Sequence, residues 1–268
     1  MKKNINPLVS IIVNCHNGST FLDDCVKSIL RQTYKNWELI FWDNKSSDNS
    51  FNIIKKFKDK RIKRFKSKSF YTLYKSRNLA LKKCKGKYIS FLDADDMWIK
   101  DKLKDQVREI SKDSLVKMVY SNYYVLINKT KNKYLKHKKI LPSGSIAQKM
   151  LSNYDIGIIT TLVDKKIFEK KKFNISYNII GDFDLFLNLC IKHKVLAIQK
   201  PHAIYRRHDD NFSSKRIDLY ILELSRWIKQ NYQKKIYKNY SFIFIKILLL
   251  KLKIKYLIYK IFKLRLGV

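Results

Sequence analysis

Short apolar runs alternate with amphipathic segments along the first 115 residues of the chain. The runs at 8–13, 37–42 and 86–92 are rich in Val, Ile, Leu and Phe, a composition typical of buried parallel strands. Between them, apolar residues recur at helical spacing, as around Cys25 and Ile29. Strand–helix–strand repeats predict an α/β fold with a mostly parallel central sheet and helices on both faces.

Weaker patterns predict the remaining elements. They are helices at 51–57, 72–84, 98–111 and 183–191, strands at 61–66, 116–127, 156–163 and 195–198, and a charged loop at 129–139. The segment 116–127 is rich in Tyr and is compatible with one strand or two. We therefore predict a catalytic domain over 1–215, with halves at about 1–115 and 116–215, followed by a tail over 216–268.

The tail has a different character from the rest of the chain. After Glu223 there is no acidic residue, while twelve Lys or Arg follow. From Phe242 to Leu266 these basic residues interrupt a nearly continuous apolar run, and on a helical wheel they do not form one polar stripe. We interpret the tail as a basic helix on an anionic membrane surface, where lysines extend toward the headgroups. A helix docked on the domain, or paired with another subunit, remains an alternative.

The formal charge of +36 is extreme, yet Lys is scattered over most segments. It reflects either attraction to polyanions or a general compositional bias toward Lys. A nucleic-acid-binding protein is one alternative class, but the sequence has no zinc-ligand spacing, RNP-like motif or recognition helix. We predict no nucleic-acid partner.

The location is predicted from the cysteines and the apolar runs. The four cysteines form no CxxC pair, and no signal peptide is visible, so we expect reduced thiols in the cytoplasm. No uncharged apolar run reaches the ~18 residues of a spanning helix. We expect a cytoplasmic protein, peripheral on the inner face of the cell membrane.

Polar residues follow three of the predicted strands directly: Asn14, Asp43 and Asp93. In open α/β sheets, ligands bind outside the carboxyl ends of the strands. Asp93 and Asp95 place two carboxylates two residues apart at such an end, which suits Mg²⁺ or Mn²⁺ with substrate phosphates. Alternatively, Asp95 and Asp96 cap the next helix at its positive end.

Five motifs occur in order along the chain. They are Leu8-Val9-Ser10-Ile11-Ile12-Val13-Asn14-Cys15-His16-Asn17-Gly18, Ser28-Ile29-Leu30-Arg31-Gln32-Thr33-Tyr34, Trp42-Asp43-Asn44-Lys45-Ser46-Ser47-Asp48, Ser76-Arg77-Asn78-Leu79-Ala80 and Gly86-Lys87-Tyr88-Ile89-Ser90-Phe91-Leu92-Asp93-Ala94-Asp95-Asp96. Together they resemble the inverting family-2 glycosyltransferases of the GT-A fold. The resemblance is strong over 8–110, looser over 150–215, and absent past about 220.

The resemblance implies a donor site for a nucleotide-diphosphate sugar. Asp43 matches the acid that binds the donor base or ribose, and Asp93 the acid that contacts the donor sugar or ribose. Asp95 matches the ligand of a divalent cation, Mn²⁺ or Mg²⁺. Arg77 matches an arginine near the donor phosphates, for which a guanidinium fork is well suited. Asn14, also placed on the donor side, stands where the family commonly has Pro.

Two later segments also resemble motifs of the family. Gly181-Asp182-Phe183-Asp184-Leu185 matches a Glu-Asp motif whose acid is the general base, but Gly181 replaces the first acid. This implies Asp182 as the base, with Asp184 as the next candidate. In Tyr205 to Ser213, His208 matches a residue that closes over the donor diphosphate or ligates the metal.

The resemblance implies transfer of a sugar to a hydroxyl of a glycan or glycolipid acceptor, in cell-surface polysaccharide, lipopolysaccharide or capsule synthesis. Because Gly181 replaces the first acid of the Glu-Asp motif, a non-catalytic relative of the family remains an alternative.

Overall fold

The computed structural model describes residues 6–265, except for the side chains of residues 213 and 263–265. The first five residues of the predicted catalytic domain and the last three of the predicted tail lie outside the described residues. The described chain forms a mixed α/β structure with one large sheet.

Nine strands occur within residues 6–265. They are β1 (Val9–Cys15), β2 (Trp37–Asp43), β3 (Ile62–Lys66), β4 (Tyr88–Phe91), β5 (Met97–Trp98), β6 (Val116–Ile127), β7 (Lys133–Leu135), β8 (Leu162–Asp164) and β9 (Lys194–Arg207). Their order in the sheet is β3-β2-β1-β4-β8-β6-β9-β5, and β7 pairs with β6.

The helices of the same part of the chain lie between and after these strands. They are α1 (Leu22–Leu30), α2 (Ser50–Lys56), α3 (Leu73–Leu81), α4 (Lys102–Lys112), α5 (Ala147–Ser152), α6 (Lys166–Lys170), α7 (Gly181–Lys192), α8 (Phe212–Lys215), α9 (Ile217–Asn231) and α10 (Ile243–Arg265). Two short 3₁₀ turns span Ile158–Thr160 and Lys235–Tyr237.

The predicted parallel sheet corresponds to β3, β2, β1 and β4, which pair in parallel with one another. Every residue of β2 is buried, as expected for a strand covered on both faces. In register, Asn14 lies beside Trp42, and Cys15 beside Asp43. Asn14 and Asp43 thus lie in the last positions of β1 and β2 rather than after them, and these strand ends meet at one edge of the sheet.

The second half of the sheet is mixed. β8 pairs antiparallel with both β4 and β6, whereas β6 and β9 run parallel. The predicted strand at 156–163 is wrong over most of its length, because Ile158–Thr160 turns and the Thr160 amide donates to the Gly157 carbonyl at 2.9 Å. Only Leu162–Asp164 pairs in the sheet.

Two further boundaries differ from the sequence predictions. β9 extends far beyond 195–198 and continues through Pro201, where the register with β6 shifts near Asn122. Helix α4 begins at Lys102 rather than near 98, because Met97 and Trp98 pair with β9 instead. The charged loop at 129–139 contains the short strand β7.

The tail begins docked and ends exposed. The Trp227 and Phe242 rings stack with centroids 5.7 Å apart, and Ile245 is buried. Beyond that first turn, α10 exposes large apolar side chains: Ile247, Leu250, Ile254, Leu257, Ile258, Tyr259, Ile261 and Phe262. The start of the helix is therefore docked on the domain, while contact of the remainder with a membrane or with another subunit stays a prediction.

Within residues 6–265, no helix combines the length and the apolar character needed to cross a bilayer. The cysteines are all buried in this part of the chain, and none forms a disulfide.

Candidate active site

A cavity of about 460 Å³ opens at the carboxyl edge of the parallel strands. We call it the polar cavity. Six of the predicted site residues line it: Asn14, Arg77, Asp93, Asp95, Asp182 and His208. The topology explains their meeting, because β1 and β4 end at this edge, while α3, α7 and the segment after β9 close around it. Two predicted residues, Asp43 and Asp184, do not line it.

Asp93 is held by Arg77. The Arg77 Nη2 atom donates to Asp93 Oδ1 at 2.6 Å, and the guanidinium is only 4% exposed whereas the Asp93 side chain is 38% exposed. Burial lowers the pKa of Arg77, but Asp93, Tyr74 and Asp182 together raise it above its ordinary value. The predicted phosphate-binding arginine thus has a carboxylate partner, which fixes Asp93 with its other oxygen available to the cavity.

Asp95 lies against His208. The His208 Nε2 and Asp95 Oδ2 atoms are 2.9 Å apart, and the Asn211 side-chain amide lies 3.4 Å from the same oxygen. Burial raises the pKa of Asp95, and the nearby Asp93 carboxylate adds to this effect. A cation at this place would relieve the repulsion between the two carboxylates.

Asp96 does not cap α4, and that interpretation is wrong. Strand β5 separates it from the helix, whose N-terminal flanking residue is Asp101. Instead, Asp96 is buried and its Oδ1 accepts the backbone amide of Arg206 at 2.7 Å. The Arg206 guanidinium is also buried and donates to the Asp95 carbonyl at 3.0 Å and to Asp24 at 2.9 Å. These bonds fix the acidic turn against the end of β9.

Asp43 is fully buried at the end of β2, one register position beyond Asn14. One of its oxygens accepts the Ser46 amide at 3.4 Å, while Oδ1 has no hydrogen-bond partner among the described residues. Both polar atoms of the Asn14 side chain likewise lack a partner there. Buried polar atoms without partners are rare, so these groups are suited to a ligand's hydrogen bonds.

Asp182 occupies the first turn of α7 and is bounded by two tyrosines. The Tyr74 hydroxyl lies 3.1 Å from Oδ1, and the Tyr154 hydroxyl donates to Oδ2 at 3.1 Å. Burial raises the pKa of Asp182, and the charge of Arg77, the Phe183 amide and both phenols oppose that rise. A carboxylate with a raised pKa is a stronger base than one with the ordinary value.

The Tyr74 ring packs directly against Gly181. A Cβ on Gly181 would lie 2.5 Å from the Tyr74 Cε2 atom, closer than any unstrained contact. The tyrosine ring therefore occupies the space of a side chain at 181, and its hydroxyl reaches the adjacent Asp182.

Asp184 points elsewhere. It is 7% exposed, accepts the Trp227 indole N–H at 2.9 Å, and lies 3.6 Å from Lys171. This arrangement links α7 to α9 and leaves Asp182 as the one predicted base that lines the polar cavity.

The sequence did not predict that Tyr74 and Tyr154 contact Asp182. Tyr74 had a usable signal, because it precedes Arg77 by three residues on a helix and so shares its face. Tyr154 had none, since it lies between α5 and a 3₁₀ turn without a regular pattern.

The chain matches the family model of glycosyl transferase family 2 over residues 10–189. It is 32% identical over 211 residues to WfgD of Escherichia coli, whose name is UDP-Glc:alpha-D-GlcNAc-diphosphoundecaprenol beta-1,3-glucosyltransferase, with 78% of this chain and 81% of WfgD covered. WfaP of Escherichia coli, named for the same reaction, is 33% identical over 219 residues with the same coverage of 78% and 81%.

Two solved structures share the fold. Staphylococcus aureus TarS 1-349 in complex with UDP-GlcNAc superposes with a TM-score of 0.68 at 15% identity, covering 82% of this chain and 66% of the TarS chain. Mannosyltransferase PcManGT from Pyrobaculum calidifontis, in complex with GDP-Man and Mn²⁺, gives 0.65 at 13% identity and covers 91% of this chain and 70% of PcManGT. The chain therefore belongs to glycosyl transferase family 2, adopts the GT-A fold of these transferases, and is a glycosyltransferase.

Proposed function

We propose that this enzyme transfers a sugar from a nucleotide-diphosphate sugar to an acceptor hydroxyl, with inversion, in bacterial cell-surface polysaccharide synthesis. The observation that carries this proposal is the polar cavity, in which Asp182 faces the same space as Asp93 and Asp95. The names of WfgD and WfaP support a UDP-sugar donor and a diphospholipid-linked GlcNAc acceptor. The TarS complex with UDP-GlcNAc supports the same class of donor.

A divalent cation, Mn²⁺ or Mg²⁺, fits the residues present. Among the described residues no three His, Cys, Asp or Glu side chains cluster as a closed metal site. Mg²⁺ is commonly held by only one or two carboxylates together with substrate phosphates. Asp95 and His208 supply an oxygen and a nitrogen 2.9 Å apart in a cavity that also contains Asp93. When bound, the cation would neutralise charge on the departing diphosphate, and PcManGT with Mn²⁺ supports its presence.

Other side chains of the protein bind and position the donor. Arg77 fixes the Asp93 carboxylate so that it can accept hydrogen bonds from the donor's sugar or ribose hydroxyls. Asn14 lines the polar cavity with no hydrogen-bond partner among the described residues and is suited to the nucleotide side of the donor, while the buried Asp43 lies at the adjacent register position of β2. Preorganised groups of this kind lower the barrier by positioning the donor before reaction.

Asp182 acts as the general base. It removes the proton from the acceptor hydroxyl while that oxygen attacks the anomeric carbon from the side opposite to the diphosphate. One displacement of this kind inverts the anomeric configuration. The Tyr74 and Tyr154 hydroxyls orient the carboxylate and favour its ionised form.

The decisive experiment measures transfer directly. The full chain is incubated with each of several UDP- and GDP-sugars, with Mn²⁺ or with EDTA, and with a synthetic GlcNAc-diphospholipid. We expect transfer from one donor, strongest with Mn²⁺, and a product of inverted configuration by NMR. Donor binding without transfer to any glycan acceptor would instead identify a non-catalytic relative. The exclusion of nucleic acid stays a prediction from the sequence.

The proposal includes a place at the inner face of the cell membrane. The apolar side chains exposed on α10 are interleaved with lysines, a combination that favours anionic bilayer surfaces. Truncation after Leu249 keeps the buried Phe242 and Ile245 and removes most of this surface. We expect the truncated enzyme to lose cosedimentation with anionic vesicles at low salt, whereas retention equal to that of the full chain would contradict membrane contact.

A further inference from the structure

A second cavity of about 450 Å³ adjoins the polar cavity across Asp182. We call it the apolar cavity, and its walls come from α5, α7, α9 and the first turns of α10. Most of its side chains are hydrophobic, among them Met150, Leu151, Phe183, Phe244, Ile247 and Leu248. Asp182 and Ile179 line both cavities. The side of the base that faces away from the donor groups is therefore hydrophobic.

This arrangement constrains where the acceptor lies. Its attacking hydroxyl must reach both Asp182 and the anomeric carbon of a donor held near Asp93 and Asp95. The rest of the acceptor must then extend away from the donor, and the apolar cavity is the space that begins at Asp182 on that side. Its volume falls in the range of roughly 300–1,000 Å³ that is usual for small-ligand sites.

The apolar cavity also has one feature suited to a phosphate. Lys251 is the only basic side chain among the described residues that line it, and Asp182 the only acidic one. Lys251 follows Ile247 by four residues, so the two residues lie one turn apart on the same face of α10. A sugar carrying a diphosphate and a hydrocarbon chain presents the hydroxyl, charge and apolar groups that these walls complement.

Beyond Lys251 the wall continues as a surface. Ile254, Leu257 and Ile258 are each about half exposed on the next turns of α10. A hydrocarbon chain that leaves the cavity along this helix would therefore stay in contact with apolar side chains until it reached a bilayer. Helix α10 connects the cavity to the surface that we assign to the membrane.

We propose that the apolar cavity is the acceptor subsite and receives the lipid-proximal part of a diphospholipid-linked sugar, with α10 as its outer wall and Lys251 beside the diphosphate. This inference rests on the proposed function. The acceptor subsite takes a ligand of defined chemical class, and it gives α10 a role in binding that ligand. Helix α10 lies outside the residues that the family model matches.

The first test fills the cavity. Leu248→Trp places a large ring in it, while Leu250→Trp places the same ring on the exposed part of the same helix, outside the lining. Two acceptors are compared, GlcNAc-diphosphate esterified with a long alkyl chain and the same compound esterified with methyl. We expect Leu248→Trp to raise KM for the long-chain acceptor by about tenfold or more. KM for the methyl acceptor and for the donor should change little, and Leu250→Trp should resemble the unaltered enzyme.

The second test removes the positive charge of Lys251. Lys251→Ala is compared with Lys253→Ala, which alters a neighbouring lysine that does not line the cavity. The acceptors are the long-chain GlcNAc-diphosphate and the long-chain alkyl glycoside of GlcNAc, which lacks phosphate. We expect Lys251→Ala to raise KM several-fold for the first acceptor only, and Lys253→Ala to leave both unchanged.

The outcomes separate this inference from the proposed function. Active transfer with the same KM for long-chain and methyl acceptors, unaffected by Leu248→Trp, would overturn the acceptor subsite and leave the glycosyl transfer intact. A change of oligomeric state in Leu248→Trp, seen by light scattering, would make the cavity wall an interface between copies and also overturn it. An unaltered enzyme that binds a nucleotide sugar but transfers to none of these acceptors would overturn the proposed function itself.

Discussion

The two cavities that meet at Asp182 have nearly the same volume, about 460 and 450 Å³, and opposite chemistry. The polar cavity gathers carboxylates, imidazoles and a guanidinium from the ends of strands, from α3 and α7, and from the segment after β9. The apolar cavity is formed by the sides of helices, and its walls are mainly Leu, Ile, Met and Phe. Most of the charged groups thus lie on one side of the base, and the other side is hydrophobic apart from Lys251.

The difference has an electrostatic consequence for the base itself. Burial raises the pKa of Asp182, while Arg77 and Tyr74 from the polar cavity and Tyr154 from the apolar cavity oppose that rise. A substitution in either cavity that alters these contacts should change the pKa of Asp182. Substitutions around Asp182 therefore distinguish the contributions of the two cavities.

The largest effect should follow removal of the base. Asp182→Asn keeps the shape of the side chain but cannot accept the proton, and we expect kcat to fall by about 10²- to 10⁴-fold with unchanged donor binding. Asp184→Asn is the matched control, because Asp184 bonds to Trp227 away from the polar cavity. It should lower Tm but retain kcat wherever the enzyme is folded. A loss of kcat confined to Asp184→Asn would reassign the base.

The next effect concerns the polar cavity alone. Asp95→Ala removes a carboxylate that fits a divalent cation beside His208. We expect Mn²⁺-dependent binding of the donor to weaken by about 10- to 100-fold in calorimetric titrations. Asp209→Ala, which removes an exposed acid that does not line the cavity, should bind as the unaltered protein does. Undiminished Mn²⁺-supported binding in Asp95→Ala would reject the metal assignment.

A smaller effect is expected behind the base, where Gly181 meets Tyr74. Gly181→Ala places a methyl group 2.5 Å from the ring, and overpacking of this kind costs about 1–3 kcal/mol of unfolding free energy. Gly157→Ala is the control, since its nearest ring atom, on Tyr123, lies at 3.3 Å. Denaturant unfolding of both variants measures the difference, and equal stability would show that the Tyr74 ring moves aside freely.

The smallest effect is a shift in pH dependence. The base acts when deprotonated, so kcat/KM falls as the pH drops through the pKa of Asp182. Tyr154→Phe removes a hydrogen bond to the charged form, which raises that pKa further and moves the acid limb to higher pH by about 0.4–1 unit. Tyr120→Phe, whose hydroxyl bonds to the Pro142 carbonyl, should leave the profile in place. An identical acid limb in Tyr154→Phe would show that the Tyr154 hydroxyl does not influence the pKa of Asp182.

The sequence predicted the polar cavity far better than the apolar one, for physical reasons. Strand ends in a parallel sheet must converge, so Asn14 and Asp93 could be brought together from the pattern alone. The side chain of Asp43 lies at the predicted strand end, yet its burial beneath the cavity lining depends on packing that a linear pattern does not contain. The pairing of Arg77 with Asp93 was missed for the same reason, since it joins two different elements.

The apolar cavity could not be predicted. Its walls come from α5, α7, α9 and α10, which are distant in sequence, and apolar residues at helical spacing do not specify which helices they contact. The mixed half of the sheet shows the same limit, because Gln199 to Pro201 interrupts the apolar pattern while β9 continues through it. The tail helix was predicted from its composition. The sequence did not decide between docking on the domain and contact with a membrane, and so it did not predict that Phe242 stacks on Trp227.

The contact between Gly181 and Tyr74 also restricts how this site can be changed by mutation. A tyrosine at 74 and any side chain at 181 compete for the same space, so the two positions are epistatic. An engineer who restores the family's acid at 181 must first shorten residue 74, and would thereby remove a phenol that lies 3.1 Å from Asp182. Single-substitution libraries would score both changes as harmful, and only paired libraries would reveal an alternative active arrangement.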